Sequence, residues 1–339
     1  MNWNQLDWQA LDRLRSIFLA EEKPQGDYWR SLAELENYDF TFGHRIAWKW
    51  DAALNELRRV NWVPTADSVL DWGCGSGVAG RRVTEFFGLK SLRVFDRSPL
   101  AMQYAMDTGH AEGWRTDGQT VGLLVLSHVL NELNDRDRGD LLRLADRAEA
   151  ILWVEPGTYA DSRALIEVRE TLRERFRVVA PCTHQERCGM LVPENERHWC
   201  HFFARPPVNI MADSNWVRFS QRAGIDLRSL PYSYLVMERI GCRASAPLAE
   251  VPKMAPKAFG ALQEQARIIG APRAYKGFAK VLACQADGVR EVTMQKRDDP
   301  ELFRALKNGE ATMIPAVRGW PQMDTNETRI RDHSCGFVA

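Results

Sequence analysis

The sequence predicts an α/β fold: a parallel sheet with helices on both faces. N-terminal helices precede it, a Cys/His-rich insertion that would bind metal interrupts it, and a C-terminal β-hairpin extension follows. Three observations carry this prediction. Short apolar runs alternate with helical stretches between residues 68 and 154, the pattern of strands joined by crossover helices. A glycine-rich loop follows the first apolar run, and three cysteines and three histidines crowd into residues 181–205.

Taken in order, residues 1–66 read as an N-terminal helical region. Trp3, Leu6, Leu11, Leu14, Ile17 and Phe18 recur mostly three and four residues apart. A second helix spans 46–60, with Trp48, Ala52, Leu54 and Leu57 as its core face, and Pro64 ends it. The main domain covers 67–240. Its strands are expected at 68–72, 91–95, 121–127, 151–154 and 176–180, and its helices at 78–87, 99–108, 137–150 and 163–175. Residues 181–205 form the irregular insertion. Apolar runs return at 234–237, 277–284 and 289–294, the last two flanking an Asp287-Gly288 turn that predicts a hairpin. This hairpin belongs to a basic C-terminal extension, 241–310, which includes a short helix at 299–306. Residues 311–339 read as a loosely ordered tail.

The 339 residues are enough for one large domain plus a module. Lys plus Arg and Asp plus Glu both number 45, so any basic surface is local. The first nineteen residues carry Asp7, Asp12, Arg13 and Arg15, unlike a secretory signal or transit peptide. The apolar run 121–126 is far too short to span a bilayer. A cytoplasmic protein, or one in an organelle matrix after processing, is expected, with no membrane partner. Seven cysteines in such a chain favour metal binding or free thiols over disulfides.

The loop Val69-Leu70-Asp71-Trp72-Gly73-Cys74-Gly75-Ser76-Gly77 opens a helix whose N–H groups face a site. Its glycines permit close approach and positive φ. Asp71 stands where an acid contacts the amino-acid end of S-adenosylmethionine. Asp96, nineteen residues after Gly77 at the end of the second strand, is placed to accept both ribose hydroxyls. Gly75, Gly77 and Gly80 also fit the dinucleotide pattern, but Gly73 already occupies the place where its first glycine belongs. The cofactor-binding set is Asp71, Gly73, Cys74, Gly75, Gly77, Asp96, Arg97 and Ser127, in a Rossmann-like fold. Ser127, His128 and Asn131 end the fourth strand, where ligands bind in parallel sheets. They are the candidates to face methyl donor or acceptor, although Asn131 and Glu132 also simply lead into a helix. The catalytic residues themselves are undetermined: the chain has no Asn-Pro-Pro-Tyr motif and no evident catalytic cysteine.

Cys182, Cys188 and Cys200 stand six and twelve residues apart, interleaved with His184, His198 and His201. This density of thiols and imidazoles points to a metal site. Zinc would take four ligands from Cys and His, whereas an iron–sulfur cluster would need a fourth thiolate, from Cys74, Cys242, Cys284 or Cys335.

Several segments together resemble the methyltransferase-like assembly factors of the mitochondrial small ribosomal subunit and their bacterial relatives. They are Leu130-Asn131-Glu132-Leu133, Val154-Glu155-Pro156-Gly157-Thr158, Val179-Ala180-Pro181-Cys182-Thr183-His184, Trp199-Cys200-His201-Phe202, Ser233-Tyr234-Leu235-Val236 and Pro272-Arg273-Ala274-Tyr275-Lys276-Gly277 leading to Cys284. The resemblance implies a class I methyltransferase fold and a 4Fe–4S cluster on Cys182, Cys188, Cys200 and Cys284. It also implies the small ribosomal subunit and its rRNA as partners, with no DNA. Thr183 and Gly189 depart from the family pattern, which has prolines there, and the gap from Cys188 to Cys200 is longer.

Residues 241–308 carry twelve Lys or Arg against seven Asp or Glu. Arg267, Arg273, Lys276 and Lys280 beside Tyr275 and Phe278 suit phosphate contact with base stacking, or else form a solvated charged face. The leading expectation is an S-adenosylmethionine-dependent rRNA methyltransferase. The alternatives are a ribosome-assembly factor without turnover and a small-molecule methyltransferase with a structural zinc site.

Overall fold

A computed structural model describes residues 1–20, 26–115, 120–241 and 264–317. Cys242 and Cys335 lie outside the described residues. Three N-terminal helices come first: α1 (Trp8–Leu19), α2 (Leu32–Tyr38) and α3 (His44–Arg59), with a π-helical turn, Asp39–Gly43, before α3. Asp7 caps α1 by accepting from the N–H groups of Gln9 and Ala10, and Ser31 caps α2 through Glu34 N–H, each satisfying an otherwise orphaned donor. The apolar faces of α1 and α3 bury Leu11, Trp50, Leu54 and Leu57 in the main core.

The sheet begins with β1 (Ser68–Trp72), β2 (Ser91–Phe95), β3 (Glu112–Gly113), β4 (Val121–Ser127) and β5 (Ala148–Pro156), all parallel. Helices α4 (Val78–Phe87), α5 (Pro99–Gly109), α6 (Asp135–Ala145) and α7 (Tyr159–Leu172) connect and follow them. After β6 (Phe176–Ala180), β7 (Phe202–Ala204) and α8 (Ser214–Ala223), β8 (Leu230–Arg239) inserts antiparallel between β5 and β6. The resulting order is β3-β2-β1-β4-β5-β8-β6, with β7 on the flank of β8.

The helix expected at 137–150 stops at Ala145, and β5 starts at Ala148 rather than 151. Pairing decides this: Ala148 and Ala150 register against Val121 and Leu123, so sheet burial overrides the helical preference of alanine.

The predicted hairpin is present as β10 (Phe278–Gln285) and β11 (Gly288–Gln295), preceded by β9 (Gln265–Ala274). With β12 (Met313–Pro315) they form a four-stranded sheet, β11-β10-β9-β12, closed by α9 (Pro300–Lys307). The sequence pattern hides β9 because Gly270 and Pro272 interrupt it. The residues read as tail therefore begin with an ordered edge strand. Among the described residues, no helix is long and apolar enough to cross a membrane.

Candidate functional site

The strand ends of β1, β2 and β4 meet beneath the N-terminal helices and open into a cavity of about 890 Å³. Gly73, Cys74, Gly75, Asp96, Arg97, Ser127, His128 and Asn131 all line it, so most of the sequence-predicted set is brought together. Trp72, Phe95 and Trp114 form an aromatic wall, with ring centroids 5.8 and 5.7 Å apart along the row.

The glycines are needed where the chain turns tightest. Gly73 has φ +70°, and a Cβ there would stand 2.7 Å from Val129 Cγ1; at Gly77, φ +75°, it would stand 2.9 Å from Ala105 Cβ. The amides of Gly73 and Cys74 donate to the Phe95 carbonyl at 2.7 and 3.0 Å. The Asp96 carboxylate accepts from Gly75 N–H and Ser98 N–H, both at 2.9 Å. Burial raises its pKa, an effect these two bonds oppose.

Asp71 and Gly77 do not line the cavity. Asp71 lies fully buried under the loop, where Oδ2 accepts from Gly80 N–H at 2.8 Å while Oδ1 has no hydrogen-bond partner among the described residues. Burial pushes its carboxyl up to about 7. Its visible work is to hold the start of α4 against β1.

Sequence reasoning missed the N-terminal contribution to this site. Asp39, in the π turn, accepts from Ser76 Oγ at 2.7 Å and pairs with Arg81 at 2.8 and 2.7 Å, tying the turn to the glycine loop. Lys49 and Trp50 reach the end of β4. Lys49 Nζ lies 3.2 Å from His128 Nε2, and Trp50 Nε1 donates to Ser127 Oγ at 3.0 Å. No local pattern marks Lys49, because Arg45 and Glu56 share its face of α3 with Ile46, Ala52 and Ala53.

The second candidate region lies where the main sheet meets the C-terminal sheet. Cys188, Cys284, Met190, Ile269, Val289 and Ile166 form one buried cluster, with Cys200 packed against it. Cys182 packs on the neighbouring core but is near enough to raise the pKa of Cys188, Cys200 and Cys284, after burial as the larger cause. The four cysteines named in the sequence thus converge from segments up to a hundred residues apart. Burial and Cys182 together push the Cys188 thiol up to about 12. The buried Arg169 of α7 faces Cys182 and Cys188.

Gly189 makes the convergence possible. A Cβ there would stand 2.9 Å from the backbone of Gly288, so the residue beside Cys188 packs directly on the β10–β11 turn. Asn195 Nδ2 stitches the same junction by donating to the carbonyls of Gly189 and Val289 at 2.8 and 3.1 Å.

The three histidines separate. His184 Nε2 is 3.5 Å from Cys284 Sγ. His198 lies beside Arg197 instead, and His201 stacks on Trp199 at 4.7 Å. Among the described residues, no group of three or more His, Cys, Asp or Glu side chains is arranged to hold a metal ion. The structure therefore brings Cys188, Cys200 and Cys284 to one apolar cluster with Cys182 nearby, and the metal-binding character expected of the insertion is not shown.

The basic extension also differs from its sequence reading. Arg267 is buried and pairs with Glu56 of α3 at 2.6 Å, with Tyr234 also bonded to it. Arg273 and Lys280 both pair with Glu291. Tyr275 remains exposed and stacks on Phe278 at 4.6 Å.

The strand order, its antiparallel β8 and the glycine loop at the end of β1 define the Rossmann-like fold of the class I methyltransferases. More particularly, the chain belongs to the family described as mitochondrial small ribosomal subunit Rsm22, whose pattern matches residues 50–311. Among solved structures, a putative RNA methyltransferase from Pyrococcus horikoshii is 13% identical, with 67% of this chain and 98% of that chain covered and a TM-score of 0.37. Magnesium protoporphyrin IX methyltransferase from Synechocystis is 12% identical, with 69% and 95% covered and a TM-score of 0.36. A SAM-dependent methyltransferase from Aquifex aeolicus is 13% identical, with 45% and 93% covered and a TM-score of 0.34. No curated protein matches the chain.

Proposed function

We propose that this chain binds S-adenosylmethionine and acts on the small ribosomal subunit, with rRNA as the methyl acceptor. The observation that carries the first part is the cavity itself. It gathers a glycine loop turned through positive φ, a half-buried acid at the end of β2 and an aromatic wall at the ends of three parallel strands. Membership of the Rsm22 family supports the ribosomal part. The donor would supply an electrophilic methyl group. The protein's share is to orient donor and acceptor in a pocket shielded from water.

We also propose a 4Fe–4S cluster on Cys182, Cys188, Cys200 and Cys284. The donor set supports it: such clusters take four thiolates, and Cys188, Cys200 and Cys284 share one apolar cluster with Cys182 near enough to act on them electrostatically. A zinc ion held by Cys and His has less support, because His198 and His201 make their contacts elsewhere. In the cluster reading the pocket joins the two sheets, and the iron is structural.

Two measurements test the reading. Protein purified without oxygen should be brown, absorb near about 400 nm and carry about four irons per chain; a colourless chain with one zinc would overturn the cluster. Small subunits incubated with labelled S-adenosylmethionine should acquire label in rRNA, and the label should disappear when Asp71 and Asp96 are changed. Tight binding to the subunit without label would reduce the chain to an assembly factor.

A further inference from the structure

The end of β4 carries a hydrogen-bonded chain of side chains that runs from the cavity to α3. His128 is not glycine, yet its φ is +58°, a strained conformation that persists where surroundings impose it. Its two ring nitrogens are both engaged: Nδ1 lies 3.1 Å from Ser127 Oγ and Nε2 lies 3.2 Å from Lys49 Nζ. Ser127 Oγ also accepts from Trp50 Nε1 at 3.0 Å. Ser127, His128 and Lys49 all line the cavity.

We propose that Ser127, His128 and Lys49 form a proton-accepting relay for methyl transfer to an acceptor bearing an N–H group, such as the amino or ring nitrogen of a nucleobase. The proposal rests on the reading of the cavity as a methyl-donor site.

The valences of the chain support it. With Lys49 neutral, Nζ accepts from His128 Nε2–H, His128 Nδ1 accepts from Ser127 O–H, and Ser127 Oγ accepts from Trp50. One lone pair of Oγ then remains, directed at the cavity, to accept from an N–H. With Lys49 charged, the direction reverses. Nζ donates to Nε2, Nδ1–H donates to Oγ, and with Trp50 also donating, the only proton of Ser127 points into the cavity. The two states of Lys49 thus set Ser127 as acceptor or donor.

The reaction balances. The acceptor nitrogen's lone pair forms the new N–C bond, and the methyl carbon's bond to sulfur breaks with its electron pair left on sulfur. The N–H proton passes to Ser127 Oγ, the serine proton to His128 Nδ1, and the Nε2 proton to Lys49 Nζ. Histidine ends neutral in its other tautomer, and lysine ends as an ammonium.

The surroundings suit Lys49 to this task. Burial lowers its pKa to about 7; Arg45, one turn earlier on α3, lowers it further, while Glu155 of β5 and Asp161 of α7 oppose the shift. His128 is held far below its ordinary value by burial, then by Lys49 and Arg45, and stays neutral. At neutral pH a substantial share of Lys49 is free amine, as a proton acceptor must be.

The test uses the full chain, labelled S-adenosylmethionine and small subunits from cells lacking the chain. Transfer should rise with pH through about 7 and level off above it. Lys49→Met and His128→Asn should bind the donor normally, by calorimetry, and lose roughly 100-fold in transfer rate. Lys49→Arg separates charge from proton acceptance, because arginine keeps the charge and cannot be deprotonated. The relay predicts loss in Lys49→Arg, whereas rescue there would overturn it. Acylation of Lys49, followed by mass spectrometry, should titrate near pH 7; a midpoint near that of surface lysines would also overturn it. Donor binding with no transfer to any subunit component overturns the relay and leaves the cofactor site standing. Absence of donor binding removes both.

Discussion

The cavity and the cysteine pocket are built in opposite ways. The cavity draws on residues that the parallel sheet must bring together: the loop after β1, the acid after β2 and the turn after β4 all emerge at one edge. The cysteine pocket draws on a loop after β6, a segment before β7 and a strand of a different sheet. One site follows from topology, and the other depends on how two sheets dock. The difference teaches where each is vulnerable. Damage to the docking interface should disturb the cysteine region and spare the cavity, unless it strikes the element they share.

That shared element is the buried pair Glu56–Arg267, which joins α3, the helix carrying Lys49, to β9, the neighbour of Cys284 in register. Arg267→Met removes the buried partner of Glu56 and leaves it only Arg59, whose side chain is largely exposed. It should cost about 3–5 kcal/mol in urea unfolding and weaken both sites. Adding Glu56→Leu should restore most of the loss; no restoration would mean the pair is not what couples the regions.

Gly189→Ala should separate them. The new Cβ meets the Gly288 backbone at 2.9 Å, which should cost about 2 kcal/mol and raise thiol reactivity at Cys188. Donor affinity at the cavity should be unchanged, and a parallel loss there would break the comparison.

Asp71 gives the cavity region its own pH signature. Burial holds its carboxyl at about 7 against a free value of 3.8. The folded chain therefore binds more protons than the unfolded chain in that window, and stability falls as pH rises from 3.8 to about 7. Asp71→Asn should remove this fall, about 4 kcal/mol across the window, read from unfolding at several pH values. An unchanged slope would place the titrating group elsewhere.

Lys280→Ala should do least. Its partner Glu291 keeps Arg273, and both sites lie in solvent, so the expected stability change is about 0.5 kcal/mol or less.

What was legible in the sequence follows the same division. Gly73, Gly75, Asp96 and Ser127 could be read because each stands at a fixed offset from a strand end, and strands announce themselves by apolar runs. Lys49 was missed because its meaning depends on α3 lying over β4, which no local pattern states. The four cysteines could be nominated by density and by resemblance. Their convergence waited on Gly189 packing against Gly288, a contact between positions a hundred residues apart. Arg267 was misread as surface charge because the strand around it is broken by Gly270 and Pro272, so nothing nearby marked it as buried.

Calorimetric titration of the intact chain with S-adenosylmethionine tests the proposed methyl-donor site in the cavity. The account predicts one donor bound per chain, with the heat abolished in Asp96→Ala while the fold persists by circular dichroism. No heat with the fully folded chain, or equal binding by Asp96→Ala, would contradict it.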